Sequence, residues 1–355
     1  MRAAISIPNR SPNHLARAAF ATAMAGLKIN GQADAESILR QRHPKDAESL
    51  AIIQRATVGG ANAQDEGWAA ALTATGFRAF LADLGPISAA SRLIDLGIAA
   101  QLGDAREAVY PARNGAPQAI GWVPEMGLIP VASRSLQKVT LGPKRKVAVI
   151  TVFSEEMARR ADAETVFTTM LREDAAATLD LIYFNTAAAT GGAHAGLLNG
   201  VSPLASSTAG GEAAMRADLA ALAAKVAPNG SGQVVFIVSS AAALTFPISF
   251  PEVADKVTVL GSPAVAADRV IAVDPLSLLH AADQVPDIVA GRDATLHMDD
   301  SNPAHIGAAG TPNTVAAPVQ SMFQTEQVAL RLIFDIAFAK RRANAVAYMD
   351  GADWA

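Results

Sequence analysis

Val328-Ala329-Leu330-Arg331-Leu332-Ile333-Phe334-Asp335-Ile336-Ala337-Phe338-Ala339 sets an apolar residue at every second position from Val328 to Phe338. Side chains on an extended chain alternate between faces, so this spacing predicts one long strand with a nearly all-apolar face. The basic run Lys340-Arg341-Arg342-Ala343-Asn344 follows as a turn, and Ala345 to Met349 reads as a second, shorter strand. A strand this long packs only against a large partner surface, and nothing in it offers chemistry.

The chain around it has 355 residues, long for one core, and predicts two or three lobes. Apolar residues make up 51% of the sequence, which places it among globular proteins. A formal net charge of -4 argues against strong overall attraction to nucleic acid or an anionic membrane, while leaving room for a local basic face. With no cysteine, disulfides, thiolate metal sites and cysteine nucleophiles are excluded. The N-terminal residues lack a signal-like apolar core, and no apolar run is long enough to span a bilayer, so the expectation is a soluble protein made in the cytoplasm.

Upstream, Pro12 to Leu27, Asp34 to Arg42 and Asp46 to Arg55 read as helices. Val58 to Glu66 reads as a linker and Trp68 to Leu84 as an amphipathic helix. From Val109 to Val152 the chain holds Pro111, Pro117, Pro124, Pro130 and Pro143 and has strand-like ends. That is an excursion without a core of its own, of the kind that orders against a partner. Asp162 to Phe184 is the strongest helix. Beyond it, a Gly-rich loop (190–200), a helix (212–225) and short strands at Gln233 to Val238, Lys256 to Leu260 and Arg269 to Val273 make an α/β lobe.

Each candidate for chemistry has a simpler explanation. The Gly-rich loop follows a helix, lacks the lysine of a phosphate-gripping loop and has the wrong glycine spacing. His14, His43, His194, His280, His297 and His305 include no i, i+4 pair, which argues against a metal site. Ser239-Ser240 lacks the glycines of a nucleophile elbow and suits a helix N-cap. Glu155-Glu156 suits the positive end of a helix dipole rather than paired acid–base catalysis. Lys144-Arg145-Lys146 and Lys340-Arg341-Arg342 read as solvated turns, with contact to a polyanion as the second reading. No catalytic, cofactor-binding or metal residue is expected.

Ser321-Met322-Phe323-Gln324-Thr325-Glu326-Gln327-Val328-Ala329-Leu330-Arg331, continuing through Ala345-Val346-Ala347-Tyr348 to Trp354, resembles the C-terminal signature of tailed-phage major capsid proteins of the Hong Kong 97 fold. Three further pieces match in order: Val152-Phe153-Ser154-Glu155-Glu156-Met157, Gly196-Leu197-Leu198-Asn199 and Leu260-Gly261-Ser262-Pro263-Ala264-Val265. The resemblance covers about residues 68–355. It implies an α+β fold with a peripheral domain of long spine helix and long antiparallel strands, an axial α/β domain, an extended β-hairpin loop and an N-terminal arm. The implied parts are an N-terminal helical arm or scaffold-like segment (1–67), peripheral domain (68–107), extended loop (108–150), spine helix (151–186), axial domain (187–310) and peripheral C-terminal strands (311–355).

The function this implies is a virion shell of hexamers and pentamers enclosing double-stranded DNA, assembled in the bacterial cytoplasm. The implied partners are further copies of the chain, a scaffolding protein, a portal, a prohead protease and the packaged DNA, with no membrane. Covalent cross-linking in the type member joins a loop-tip lysine to an asparagine. Here no lysine lies between Val109 and Gln137, and Thr325 stands at the position resembling the asparagine, so a non-covalent shell is expected. The alternatives are an encapsulin-like nanocompartment shell and, from a different class, an α/β enzyme.

Overall fold

A computed structural model describes residues 14–26, 34–57, 84, 87–100, 102, 105–113, 122–123, 125–126, 136–158, 163–228, 231–281, 287–298, 306–308, 314–315 and 318–354. The linker expected at Val58 to Glu66 and nearly all of the helix expected at Trp68 to Leu84 lie outside them.

In chain order, the first elements are α1 (His14–Gly26), α2 (Ala35–Arg42), α3 (Ala47–Thr57), α4 (Ala89–Leu96), β1 (Ile98–Ala99), β2 (Ala108–Arg113), β3 (Leu136–Leu141) and β4 (Arg145–Ser154). Then come α5 (Glu155–Ala158), α6 (Ala163–Tyr183), β5 (Leu204–Ala205), α7 (Gly211–Val226), β6 (Val235–Ser239), α8 (Ser240–Ser249) and α9 (Pro251–Ala254). Strands follow: β7 (Thr258–Ser262), β8 (Val270–Val273), β9 (Leu278–Ala281), β10 (Asp287–Gly291), β11 (Thr295–His297), β12 (Gly307–Ala308) and β13 (Thr314–Val315). The chain closes with β14 (Val319–Ser321), β15 (Gln327–Lys340) and β16 (Val346–Asp350).

The chain divides into two compact units. The first comprises Met1–Asp83, Val147–Arg172 and Gln284–Phe334. Its described N-terminal part is a three-helix bundle in which α1 is buried nearly all round, through Ala16, Ala18, Ala19, Phe20, Ala21, Ala23 and Met24. A helix with apolar residues on nearly every face needs neighbours on every side. Here they are α2, α3 and β10. Asp34 caps α2 by accepting from the Ser37 amide at 2.9 Å. β10 runs antiparallel to the first half of β15, from Asp287 opposite Ile333 to Gly291 opposite Ala329, and β4 also pairs with β15.

The second unit comprises Leu84–Lys146, Glu173–Asp283 and Asp335–Ala355. Its centre is a mixed sheet in the order β5-β16-β8-β6-β7, with β6 parallel to β7, antiparallel to β8, and β8 antiparallel to β16. All five residues of β6 are buried, as a run with no polar alternation requires. Met215, Leu219, Leu222 and Val226 of α7 and Phe246 of α8 form one core with Phe236, Val238, Val270, Ala272, Ala347 and Met349. The placement of β16 in this sheet is what the sequence alone does not give, since β15 immediately before it pairs elsewhere. The second half of β15 runs antiparallel to β9, Phe338 opposite His280. A smaller core of Ala100, Leu102, Leu141, Leu279, Ala281 and Ala337 anchors the base of the β2–β3 hairpin.

The alternation expected from Val328 to Phe338 is realised in the strand Gln327–Lys340. Val328, Leu330, Leu332, Phe334, Ile336 and Phe338 are all buried, while Arg331 is exposed. Ala329 and Ala337 on the opposite face are buried as well, so that face is covered at its two ends and open around Arg331.

Candidate functional site

Several residues singled out in the sequence have protein partners in the structure. Ser239 caps α8, its Oγ accepting from the Ala242 amide at 3.2 Å. Glu155 starts α5 and meets Arg292 at 3.4 Å, and its amide donates to the Glu326 carbonyl at 3.0 Å. Among the described residues no group of three or more His, Cys, Asp or Glu could hold a metal ion. His14 contacts Asp46 at 2.6 Å and Glu48 at 3.3 Å, tying α1 to the start of α3. Ser49 Oγ lies 3.5 Å from the His14 Nδ1 that Asp46 already occupies, and donates to the His14 carbonyl at 3.0 Å. Aspartate and serine on the same ring nitrogen do not make a relay. His305 lies outside the described residues.

The Gly-rich loop is held by neighbouring side chains. Arg145 donates to the carbonyls of Gly191 and Thr190, and Lys340 Nζ to those of Leu197 (3.2 Å) and Asn199 (3.0 Å). His194 Nε2 lies 3.1 Å from the Ile336 carbonyl. Burial holds the Lys340 ammonium below the usual lysine range. Arg342 reaches the buried carboxylate of Asp274 at 3.5 Å and Ser277 Oγ at 3.2 Å. The basic run is therefore not the solvated turn expected from sequence. All three of its cations have protein partners: Lys340 and Arg341 donate to carbonyls, the latter to that of Leu276 at 3.4 Å, and Arg342 meets a buried carboxylate.

What sequence reasoning missed is a set of buried polar side chains. Asp180, fully buried, accepts from Ser88 Oγ (2.6 Å), Ser262 Oγ (2.6 Å) and the amides of Ala90 (2.9 Å) and Ala89 (3.3 Å) at the N-terminus of α4. Asp274 accepts from Ser231 Oγ (2.6 Å), the Ser231 amide (3.0 Å) and Ser277 Oγ (2.5 Å). Asp218 accepts from the Ser207 amide (2.7 Å) and Trp354 Nε1 (2.9 Å). These carboxylates are satisfied, as buried charges must be, and hold distant segments together. The available signal was Asp180 lying on the stripe of Ala176, Leu179 and Tyr183, a charge at i+4 on a buried helical face.

Exposed apolar side chains of the described residues offer surfaces for contact. Between β2 and β3, Trp122 and Met126 are fully exposed, and Val109 and Leu136 on the hairpin strands are more exposed than buried. On α8, Leu244 and Ile248, one turn apart on the same face, are 74% and 80% exposed. Grouped exposed side chains of this size mark surfaces that meet another macromolecule.

No family model matches the chain. A curated relative, the "Capsid polyprotein" of Pseudomonas phage PAJU2, is 31% identical over 262 residues, covering 66% of this chain and 37% of that protein. The chain thus spans little more than a third of the length of the curated relative it matches. Among solved structures, a chain of Mycobacterium phage Bobi shares 16% identity with a TM-score of 0.48, covering 73% of this chain and 89% of that one. A chain of the "Capsid of empty GTA particle computed with C5 symmetry" shares 13% identity with a TM-score of 0.45, covering 75% and 91%. The resemblance read in the C-terminal stretch is met again in a phage capsid relative, and the α+β class expected with it, long helix, long strands, hairpin and α/β lobe, is the one observed.

Proposed function

We propose that this chain is a major capsid protein that assembles as hexamers and pentamers into an icosahedral shell around double-stranded DNA. The observation that carries the reading is the relative named as a phage capsid polyprotein, joined to a hairpin whose connection presents Trp122 and Met126 wholly to solvent. An isolated chain gains nothing from such exposure; a closed assembly of identical copies does.

In this reading residues 108–150 are the extended loop, 151–186 the spine helix, 187–310 the axial domain, 68–107 and 311–355 the peripheral domain, and 1–67 an N-terminal arm or scaffold-like segment. Scaffolding protein, portal, prohead protease and packaged DNA are the partners, the virion the destination, and the host cytoplasm the place of assembly. Among the described residues no helix is long and apolar enough to cross a membrane.

The shell is non-covalent. Thr325 is exposed and spends its hydroxyl on the Ser321 carbonyl at 2.9 Å; it has no carboxamide to condense with a lysine. Electron microscopy of the purified full chain, alone and with its neighbouring phage genes, tests the assignment. Capsomers or shells that dissolve into single chains on a denaturing gel are the expected result. A monomer under every condition overturns the capsid reading, and a ladder of linked chains overturns the non-covalent one.

A further inference from the structure

His280 is buried in an apolar stack with neither ring nitrogen hydrogen-bonded to a protein group. Its ring lies 5.9 Å from that of Tyr183, at 27° between planes, and Tyr183 stacks in turn on Phe338 at 4.2 Å. The Tyr183 hydroxyl is also buried and unpartnered. On the remaining side, a Cβ at Gly97 would lie 2.5 Å from His280 Cε1 and Nδ1, so that residue must be glycine for the ring to fit. In register, His280 is opposite Ala99 of β1 and Phe338 of β15, and its carbonyl accepts from the Ala100 amide at 2.7 Å. Four segments, the α4–β1 turn, the end of α6, β9 and β15, therefore close on one imidazole.

We propose that His280 is an acid-operated release built into this seam, where taking up a proton parts the end of α6 from β9 and β15. A neutral ring packs there as an aromatic residue. An imidazolium would be a cation without counter-charge in a site that water does not reach, which the fold relieves only by opening.

The surrounding groups agree with this. The titratable group facing the ring from α6 is Tyr183, whose own ionisation burial pushes up. Gly97, Ala99 and Phe338 face it from the other segments and carry no charge. Burial holds the His280 imidazole down at about 3, against 6.5 for an ordinary histidine. The folded seam thus binds its proton only far below the pH at which an opened one does. Stability from this ring is complete above about pH 6.5 and is lost as pH falls from there towards 3. Across that window the opening equilibrium rises about tenfold per pH unit. His194, which also touches Phe338 at 5.2 Å between centroids, has its imidazole pKa lowered by burial and by Arg145, and is the group to be separated from His280.

The test is hydrogen–deuterium exchange of the full chain between pH 7 and 4.5, corrected for intrinsic exchange. Peptides covering 93–100, 179–184, 278–281 and 335–340 are read against β6. In the wild type the four are expected to open together, about 50-fold more between pH 6.5 and 4.5, with β6 unchanged. His280→Phe is expected to abolish the response and His194→Gln to keep it. Seam peptides in the wild type that stay protected to pH 4.5 overturn the proposal whether or not the variants fold. So does a His280→Phe chain that opens as the wild type does, or a His194→Gln chain that no longer opens.

Discussion

At the scale of the residue, the strongest determinants are polar groups inside the second unit. Asp180 accepts four hydrogen bonds from Ser88, Ala89, Ala90 and Ser262. Asp180→Ala strands two hydroxyls and two amides without water, each able to cost about 1–3 kcal/mol. The local structure relaxes in part, so we expect a loss of about 3–5 kcal/mol in urea denaturation, with Asp180→Asn less severe because one carbonyl acceptor survives. A loss under 1 kcal/mol for Asp180→Ala would show that the network contributes little. Sequence legibility was lowest here. Hydrophobic period places Ala176, Leu179 and Tyr183 on a buried face, but the partners of Asp180 come from positions 82 to 92 residues away. In the sequence Gly196 belongs to the Gly-rich loop and to the stretch Gly196-Leu197-Leu198-Asn199 that resembles the capsid family, and neither reading gives it a packing role. In the structure a Cβ there would collide with Asn185, so the glycine is a packing requirement.

At the scale of the element, β15 was legible because alternation over so many residues leaves one physical solution. Leu332 is 1% exposed and opposite Ile288 of β10. Leu332→Asp puts a carboxylate into that face at a cost beyond what burial of one leucine returns, about 1.5–3 kcal/mol, and the expected outcome is no soluble folded chain. Ordinary yields of folded protein from this variant would remove the strand assignment. What alternation could not supply is where each half of the strand finds its neighbour, since β10 and β9 are short runs with no period of their own. The N-terminal bundle illustrates the reverse case, helices legible by pattern but held by ion pairs that no pattern shows. Partial burial of Asp46 opposes its ionisation, but the Ser49 amide, Arg17, the Ser49 hydroxyl and His14 outweigh it and hold the carboxyl down at about 2. An unfolded aspartate titrates near 3.8, so this contribution is present above that pH and disappears as pH falls towards 2. Exchange protection of α1 and α3 should therefore drop between pH 4 and 2 in the wild type and show a shallower drop in Asp46→Asn. Equal slopes would assign the acid response of the bundle to other groups.

At the scale of the whole molecule, the chain enters the first unit three times and the second three times, with β4, α6 and β15 each crossing the division. Such interleaving makes the units inseparable by cutting in the middle, yet the first unit's helical bundle is contributed by one end. α1 and α3 pack on β10, and β10 is bonded to the first half of β15. Deleting residues 1–57 takes away that cover and leaves every described strand in place. The strands remaining in the first unit then keep their ladder hydrogen bonds but lose the apolar side chains over β10, and a thin, uncovered sheet is marginal in water. The second unit's sheet, its α7 and α8 cover and the Asp180, Asp218 and Asp274 networks are all built from residues between Leu84 and Trp354. Exchange of the truncated chain should therefore divide along the two units. Peptides over 147–154, 287–291 and 327–334 are expected to lose protection by at least about tenfold, while those over 235–239, 270–273 and 346–350 keep theirs. Uniform loss would mean that the two units unfold as one and that the N-terminal helices stabilise the entire chain. Unchanged protection in the first group would mean that β4, β10 and β15 hold without them, making the bundle an addition to the fold rather than a part of its core.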